Sequence, residues 1–79
     1  MSLTTEFERA FRLHQQGKLR EAFLRYDAIL AANPTFAPAL HYSGVVLFQA
    51  GKLPEAAERI RAALKLQPAS IYIAVFKTT

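Results

Sequence analysis

The side chains that could perform chemistry are few and scattered along this chain of 79 residues. Cysteine is absent, which excludes thiol catalysis, thiolate metal ligation and a disulfide framework. The two histidines, His14 and His41, are distant in sequence, and no cysteine or suitably spaced carboxylate joins them to complete a zinc site, which takes three or four protein ligands. Histidines that line a surface are therefore favoured over histidines that bind a metal.

Acidic residues precede basic residues by one helical turn instead of forming convergent carboxylate pairs. The three pairs at this spacing are Glu8–Arg12, Glu21–Arg25 and Glu55–Arg59. Opposite charges at i and i+4 are neighbours on a helix surface, so we expect solvated ion pairs. No serine lies in a nucleophile motif, and the three glycines are too dispersed to cradle a phosphate. The sequence predicts neither an enzyme nor a cofactor.

The overall charge narrows the kind of partner. Ten Lys and Arg against six Asp and Glu give a net charge of +4, which favours acidic partners in general. The basic residues lie beside acids without an interleaved aromatic stripe, which disfavours nucleic acid. The apolar runs are shorter than the roughly 20 residues that cross a bilayer, and the N-terminus carries no secretory signal pattern. We expect a cytoplasmic protein without a membrane span.

Apolar residues recur at spacings of three and four, which predicts amphipathic helices. The predicted helices cover 5–16, 19–32, 37–50 and 53–66, and a fifth helix from 69 is an open alternative.

Residues that start and stop helices mark these bounds. Thr5 and Glu8 have the spacing of a capping box, which predicts that the first helix begins at Thr5. Gly17 and Gly51 stand where the first helix of each pair must end, since glycine adopts a left-handed conformation at little steric cost.

The chain contains an internal repeat. Gly17-Lys18-Leu19 recurs as Gly51-Lys52-Leu53, and the same offset of 34 aligns Glu21-Ala22 with Glu55-Ala56 and Pro34 with Pro68. The period and the pattern of small and large residues resemble the tetratricopeptide repeat, a helix-turn-helix unit of 34 residues. The matching positions are Ala10, Leu13, Ala22, Tyr26, Ile29 and Pro34 in the first unit, and Leu40, Ser43, Gly44, Leu47, Ala56, Ile60, Ala63 and Pro68 in the second.

The resemblance implies an all-α fold, a helical-repeat solenoid (α–α superhelix) of two helix-turn-helix repeats and a C-terminal capping segment. Residues 1–79 would form one domain, with repeat one at about 3–36, repeat two at about 37–70, and a partial third helix or cap at 71–79. Glu6 and Arg9 occupy positions where the pattern has large apolar residues, so we expect this face of the first helix to be solvated.

The segment 71–76 is apolar and rich in β-branched residues, so intrinsic preference favours a strand, whereas its position in the repeat favours a helix. It either caps the second repeat or packs against another copy or another protein. The residues that would mediate self-association are Ile71, Tyr72, Ile73, Val75 and Phe76.

In the family that this chain resembles, the first helices line a concave groove that holds segments of partner proteins. The groove positions in this sequence are Phe7, Phe11, His14, Gln15, His41, Tyr42, Val45, Phe48 and Gln49. The alternative for the apolar members is packing between helices. Phe7, Phe11 and Tyr42 stand where a carboxylate-binding groove of this family would need charged and amide groups, which disfavours capture of a C-terminal carboxylate.

The resemblance therefore predicts a module that binds a protein or peptide partner, or that self-assembles into a homo-oligomer through its apolar C-terminal end. The alternative is an N-terminal accessory segment of a longer enzyme such as a glycosyltransferase, where the repeats would present protein substrates.

Overall fold

The structure, a computed structural model, describes residues 2–66, which form four α-helices. These are α1 (Leu3–Gln15), α2 (Leu19–Ala32), α3 (Ala37–Gln49) and α4 (Leu53–Leu66). The helices α1 and α2 pack as one pair, α3 and α4 pack as a second pair, and α2 lies against α3. The part of the chain that is described contains no strand. An all-α helical-repeat fold is confirmed.

The first helix begins earlier than its sequence predicts. Ser2 is the N-cap, and its Oγ accepts a hydrogen bond of 3.1 Å from the backbone N–H of Thr5. The hydroxyl of Thr5 lies 2.9 Å from the same oxygen. The prediction of a cap at Thr5 is wrong because Ser2 supplies the acceptor one turn before it, where it satisfies a free N–H of the first turn.

Both helical pairs turn through the same backbone motif. Gly17 and Gly51 have φ angles of 79° and 83°, in the left-handed region. The N–H of Lys18 donates to the carbonyl of Leu13 at 3.0 Å, and the N–H of Lys52 donates to that of Leu47 at 2.8 Å. This is the Schellman pattern of helix ends, and it confirms both glycines as helix stops.

Small residues allow the helices to approach closely. Ala10, Ala22, Ala39 and Ala63 are fully buried, and Tyr26 is the largest side chain that is fully buried. An added Cβ on Gly44 of α3 would meet Cγ1 of Ile60 at 2.7 Å and the carbonyl oxygen of Ala56 at 3.2 Å. Alanine and glycine therefore set the distance between paired helices, and larger side chains fill the space beside them.

The ion pairing differs from the prediction of pairs within single helices. Among residues 2–66 one salt bridge forms, between Arg59 of α4 and Asp27 of α2, with Nη1 to Oδ1 at 2.5 Å. The same Nη1 lies 3.2 Å from Oγ of Ser43, which is fully buried, and the guanidinium lies 4.9 Å from the ring centre of Phe23. The predicted pair of Arg59 with Glu55 is wrong because the side chain of Arg59 crosses to the neighbouring repeat. Glu8–Arg12 and Glu21–Arg25 do not form ion pairs within residues 2–66 either.

The predicted solvation of the first helix is correct for Arg9, which is exposed, but not for Glu6. One carboxylate oxygen of Glu6 is buried without a hydrogen-bond partner in the described part of the chain. Glu6 lines a small hollow with Leu3, Arg25 and Ile29, because the first turns of α1 pack near α2.

Candidate partner-binding groove

Three aromatic rings from α1 and α3 form the centre of the candidate groove. The ring centre of Tyr42 lies 5.6 Å from that of Phe7 and 5.1 Å from that of Phe11, the second pair being edge to face. Phe7 and Phe11 stack at 6.0 Å with an interplanar angle of 17°. All three side chains are half-buried, so each packs on one side and is accessible on the other. Phe7 and Phe11 therefore pack between the helices and also remain partly accessible to solvent.

Two further aromatic residues form the floor below these rings. Tyr26 of α2 lies 5.8 Å from Phe7, and Phe36, which immediately precedes α3, lies 6.1 Å from it. Neither was among the predicted groove residues. The sequence could have indicated burial of Tyr26, since this residue occupies an apolar position of the repeat. Phe36 lies in the loop between repeats, where helical periodicity gives no information.

A histidine joins three helices at one end of the cluster. Nε2 of His14 lies 2.7 Å from Oε1 of Gln49, and Nδ1 of His14 lies 3.3 Å from the hydroxyl of Tyr26. A carbonyl oxygen can only accept, so Nε2 of His14 donates to Gln49; in the tautomer with its proton on Nε2, Nδ1 can accept the hydroxyl proton of Tyr26. Burial raises the pKa of Tyr26 well above its ordinary value, and the nearby Tyr42 adds to the rise. The hydroxyl of Tyr26 therefore stays protonated and available as a donor.

The second histidine of the candidate groove contacts the other side of the cluster. The ring of His41 lies 4.9 Å from that of Tyr42, edge to face. Its Nδ1 is buried and has no hydrogen-bond partner within residues 2–66, and burial lowers the pKa of the ring. Both histidines thus contact Tyr42, whose ring centre lies 6.4 Å from that of His14. Across the described part of the chain, no three side chains of His, Cys, Asp or Glu converge as metal ligands would.

The remaining predicted groove residues lie outside the aromatic cluster. Phe48 is 59% exposed, Gln15 and Gln49 are exposed, and Val45 is half-buried. No other aromatic ring of residues 2–66 stacks on Phe48. The predicted self-association residues, Ile71, Tyr72, Ile73, Val75 and Phe76, lie outside the described residues.

The two helix pairs have the same turn, they pack on each other, and side chains of their first helices are accessible to solvent. These features define the class of helical-repeat scaffolds. A family model described as tetratricopeptide repeat matches residues 13–76, and the chain belongs to that family. Members of this family generally mediate protein–protein interactions and are typically non-catalytic. No curated protein and no solved structure shows significant similarity to the chain. None of the helices in residues 2–66 has the length and apolar character needed to span a membrane.

Proposed function

We propose that this chain is a protein-interaction module that binds a partner segment in the groove lined by Phe7, Phe11, His14, Gln15, His41, Tyr42, Val45, Phe48 and Gln49. The observation that carries the proposal is the half-burial of the Phe7, Phe11 and Tyr42 rings, which pack on each other while each remains partly accessible. Phe7 also packs on Tyr26. Preorganised aromatic surfaces contribute large contact area at small entropic cost.

The polar groups of the proposed groove are two amides and two imidazoles. Gln15 and Gln49 are exposed amides, and His14 is already bonded to Gln49. Such groups suit the backbone of a bound peptide, whereas the rings suit its apolar side chains. We therefore propose a partner segment that presents aromatic or large aliphatic residues rather than a terminal carboxylate.

We also propose that residues 1–79 act as one unit, with repeat one at about 3–36, repeat two at about 37–70 and a third partial element at 71–79. The equivalence of the two turns at Gly17 and Gly51 supports the boundary between the first two repeats.

A selection from a random peptide library displayed on phage tests the groove. Peptides enriched on the native chain are then measured against Phe48→Gln, since Phe48 is 59% exposed and its replacement leaves the core intact. The matched control is Leu24→Gln, an exposed apolar residue on α2 with 58% exposure. We expect enriched peptides rich in aromatic and aliphatic residues, weakened by about tenfold in Phe48→Gln and unchanged in Leu24→Gln.

Enriched peptides that lose binding in Leu24→Gln and keep it in Phe48→Gln would place the binding surface on another face. A selection that enriches only acidic peptides without apolar residues would likewise contradict an aromatic groove.

Self-assembly through the C-terminal end is the second candidate. Leu64 and Leu66, near the C-terminal end of α4, are exposed, with exposed fractions of 42% and 44%. Burial of exposed apolar surface is favourable, so these residues together with the apolar segment 71–76 favour association of two chains.

A further inference from the structure

Three arginines surround one hollow on the outer face of the first repeat. Arg9 and Arg12 project from α1 and Arg25 from α2, and Leu13 and Gln16 complete the lining of a cavity of about 190 Å³. All three arginines are exposed, and within residues 2–66 none of them forms an ion pair. This arginine face has no role in the aromatic groove, which uses other residues of α1.

The repeat offset identifies what this face corresponds to in the second repeat. The residues equivalent to Arg9, Arg12 and Arg25 are Ser43, Val46 and Arg59. In repeat two Ser43 is fully buried, Val46 is 3% exposed, and Arg59 pairs with Asp27 of the preceding helix α2. The arginine face is therefore the surface that a repeat turns toward its preceding neighbour. No helix of residues 2–66 covers it in repeat one.

The pair of Arg59 and Asp27 shows the chemistry that this position accommodates. A carboxylate on the neighbouring helix accepts from the guanidinium at 2.5 Å. At the equivalent place no carboxylate of residues 2–66 pairs with Arg25, and two further guanidinium groups stand beside it where repeat two has a serine and a valine. Charge-assisted bonds between arginine and carboxylate are directional and stronger than bonds between neutral groups.

A second copy of this chain is a poor occupant. The residue equivalent to Asp27 in repeat two is Arg61, so stacking one copy on another in the register of the repeats would bring Arg25 against Arg61. Like charges at that contact oppose association. The occupant must supply its own negative charge.

We propose that the arginine face formed by Arg9, Arg12 and Arg25 binds an acidic protein segment, with one carboxylate bonded to Arg25 as Asp27 is bonded to Arg59. Glu6, Glu8 and Glu21 each lie within a helical turn of one of these arginines but form no ion pair with them in the described part of the chain, so the guanidinium donors remain available to a partner. Leu13 offers an apolar contact at the centre of the face.

The test uses the chain of 79 residues and a fluorescein-labelled decaglutamate peptide as the probe, with decaglutamine as the uncharged comparison. The variant Arg9→Glu/Arg12→Glu/Arg25→Glu reverses the charge of the arginine face. The matched control, Arg20→Glu/Lys52→Glu/Lys65→Glu, makes the same change in net charge at exposed sites elsewhere. Circular dichroism verifies that both variants keep their helical content.

We expect fluorescence anisotropy to show decaglutamate binding that weakens with salt and is reduced about tenfold or more in the face variant, but far less in the control. The groove variant Phe48→Gln should bind decaglutamate as the native chain does, which separates this proposal from that of the groove. Equal losses in the two triple variants, or no binding by the native chain at low salt, would overturn the proposal. So would tighter binding of a single-stranded oligonucleotide at the same residues, because nucleic acid would then be the ligand.

Discussion

At the scale of single residues, Gly44 is the position where one methyl group decides the packing of a helix pair. Gly44→Ala places a Cβ 2.7 Å from Cγ1 of Ile60 and 3.2 Å from a backbone oxygen. Overpacking costs about 1–3 kcal/mol, and the higher helix propensity of alanine returns up to about 1 kcal/mol. We expect a net loss of about 1–2 kcal/mol in the free energy of unfolding, measured by urea denaturation.

A second substitution checks the cause of that loss. Ile60→Ala removes the atom that the new Cβ meets, so its cost should be smaller in the Gly44→Ala chain than in the native chain. Strictly additive effects of the two substitutions would show that the contact with Ile60 does not limit the approach of α3 and α4.

His41 makes stability depend on pH. Burial lowers its pKa below the ordinary value of 6.5, so below that pH the unfolded chain binds more protons than the folded chain. The free energy of unfolding should therefore fall as the pH drops below about 6.5, and it should be restored as the pH rises. In His41→Gln this fall should be shallower. Parallel curves for the two proteins, from urea denaturation across this pH range, would contradict the effect.

At the scale of elements, α2 and α4 are linked by a charged pair of side chains that crosses the repeats. Arg59 and Asp27 are 28% and 41% exposed, so solvent screens their attraction. A double-mutant cycle with Arg59→Gln and Asp27→Asn should give a coupling of about 0.5–1 kcal/mol, reduced by salt. Glu55→Gln is the comparison and should change stability by less than about 0.5 kcal/mol. A coupling energy that is larger between Arg59 and Glu55 than between Arg59 and Asp27 would contradict the pair across the repeats and support a pair within α4.

At the scale of the whole molecule, the two ends of the helix pairs carry different chemistry. The outer face of repeat one is cationic, and the C-terminal end of α4 exposes Leu64 and Leu66. Because Arg25 and Arg61 would oppose stacking in the repeat register, association through the apolar ends should give a closed dimer and not an open filament.

Light scattering over a range of protein concentrations measures the number of chains in the assembly. We expect a molar mass above the 8.8 kDa of one chain, approaching that of two chains and not rising further. Phe76→Asp should lower it to the monomer value. An unchanged mass, stability and solubility in Phe76→Asp would remove the C-terminal segment from any role in association, and a mass that grows continuously with concentration would contradict a closed dimer.

Much of the local structure could be predicted from the sequence. The second and fourth helices have the predicted bounds, and the stops at Gly17 and Gly51 are confirmed, because these features depend on residues within one or two turns of each other. The pattern of the family that the sequence resembles likewise indicated the small residues that bring the helices together. Only the first helix begins elsewhere, because Ser2 caps it one turn before the predicted start.

Tertiary structure alone decided which side chains meet across the helices. Arg59 pairs with Asp27 instead of Glu55, and His14 bonds to both Tyr26 and Gln49. These partners are separated by many residues, so their contact depends on how the second repeat is rotated and placed on the first. Spacing along one helix carries no information about that placement. The same holds for the arginine face, because only the pairing of Arg59 in repeat two shows that Arg25 has no equivalent partner within residues 2–66.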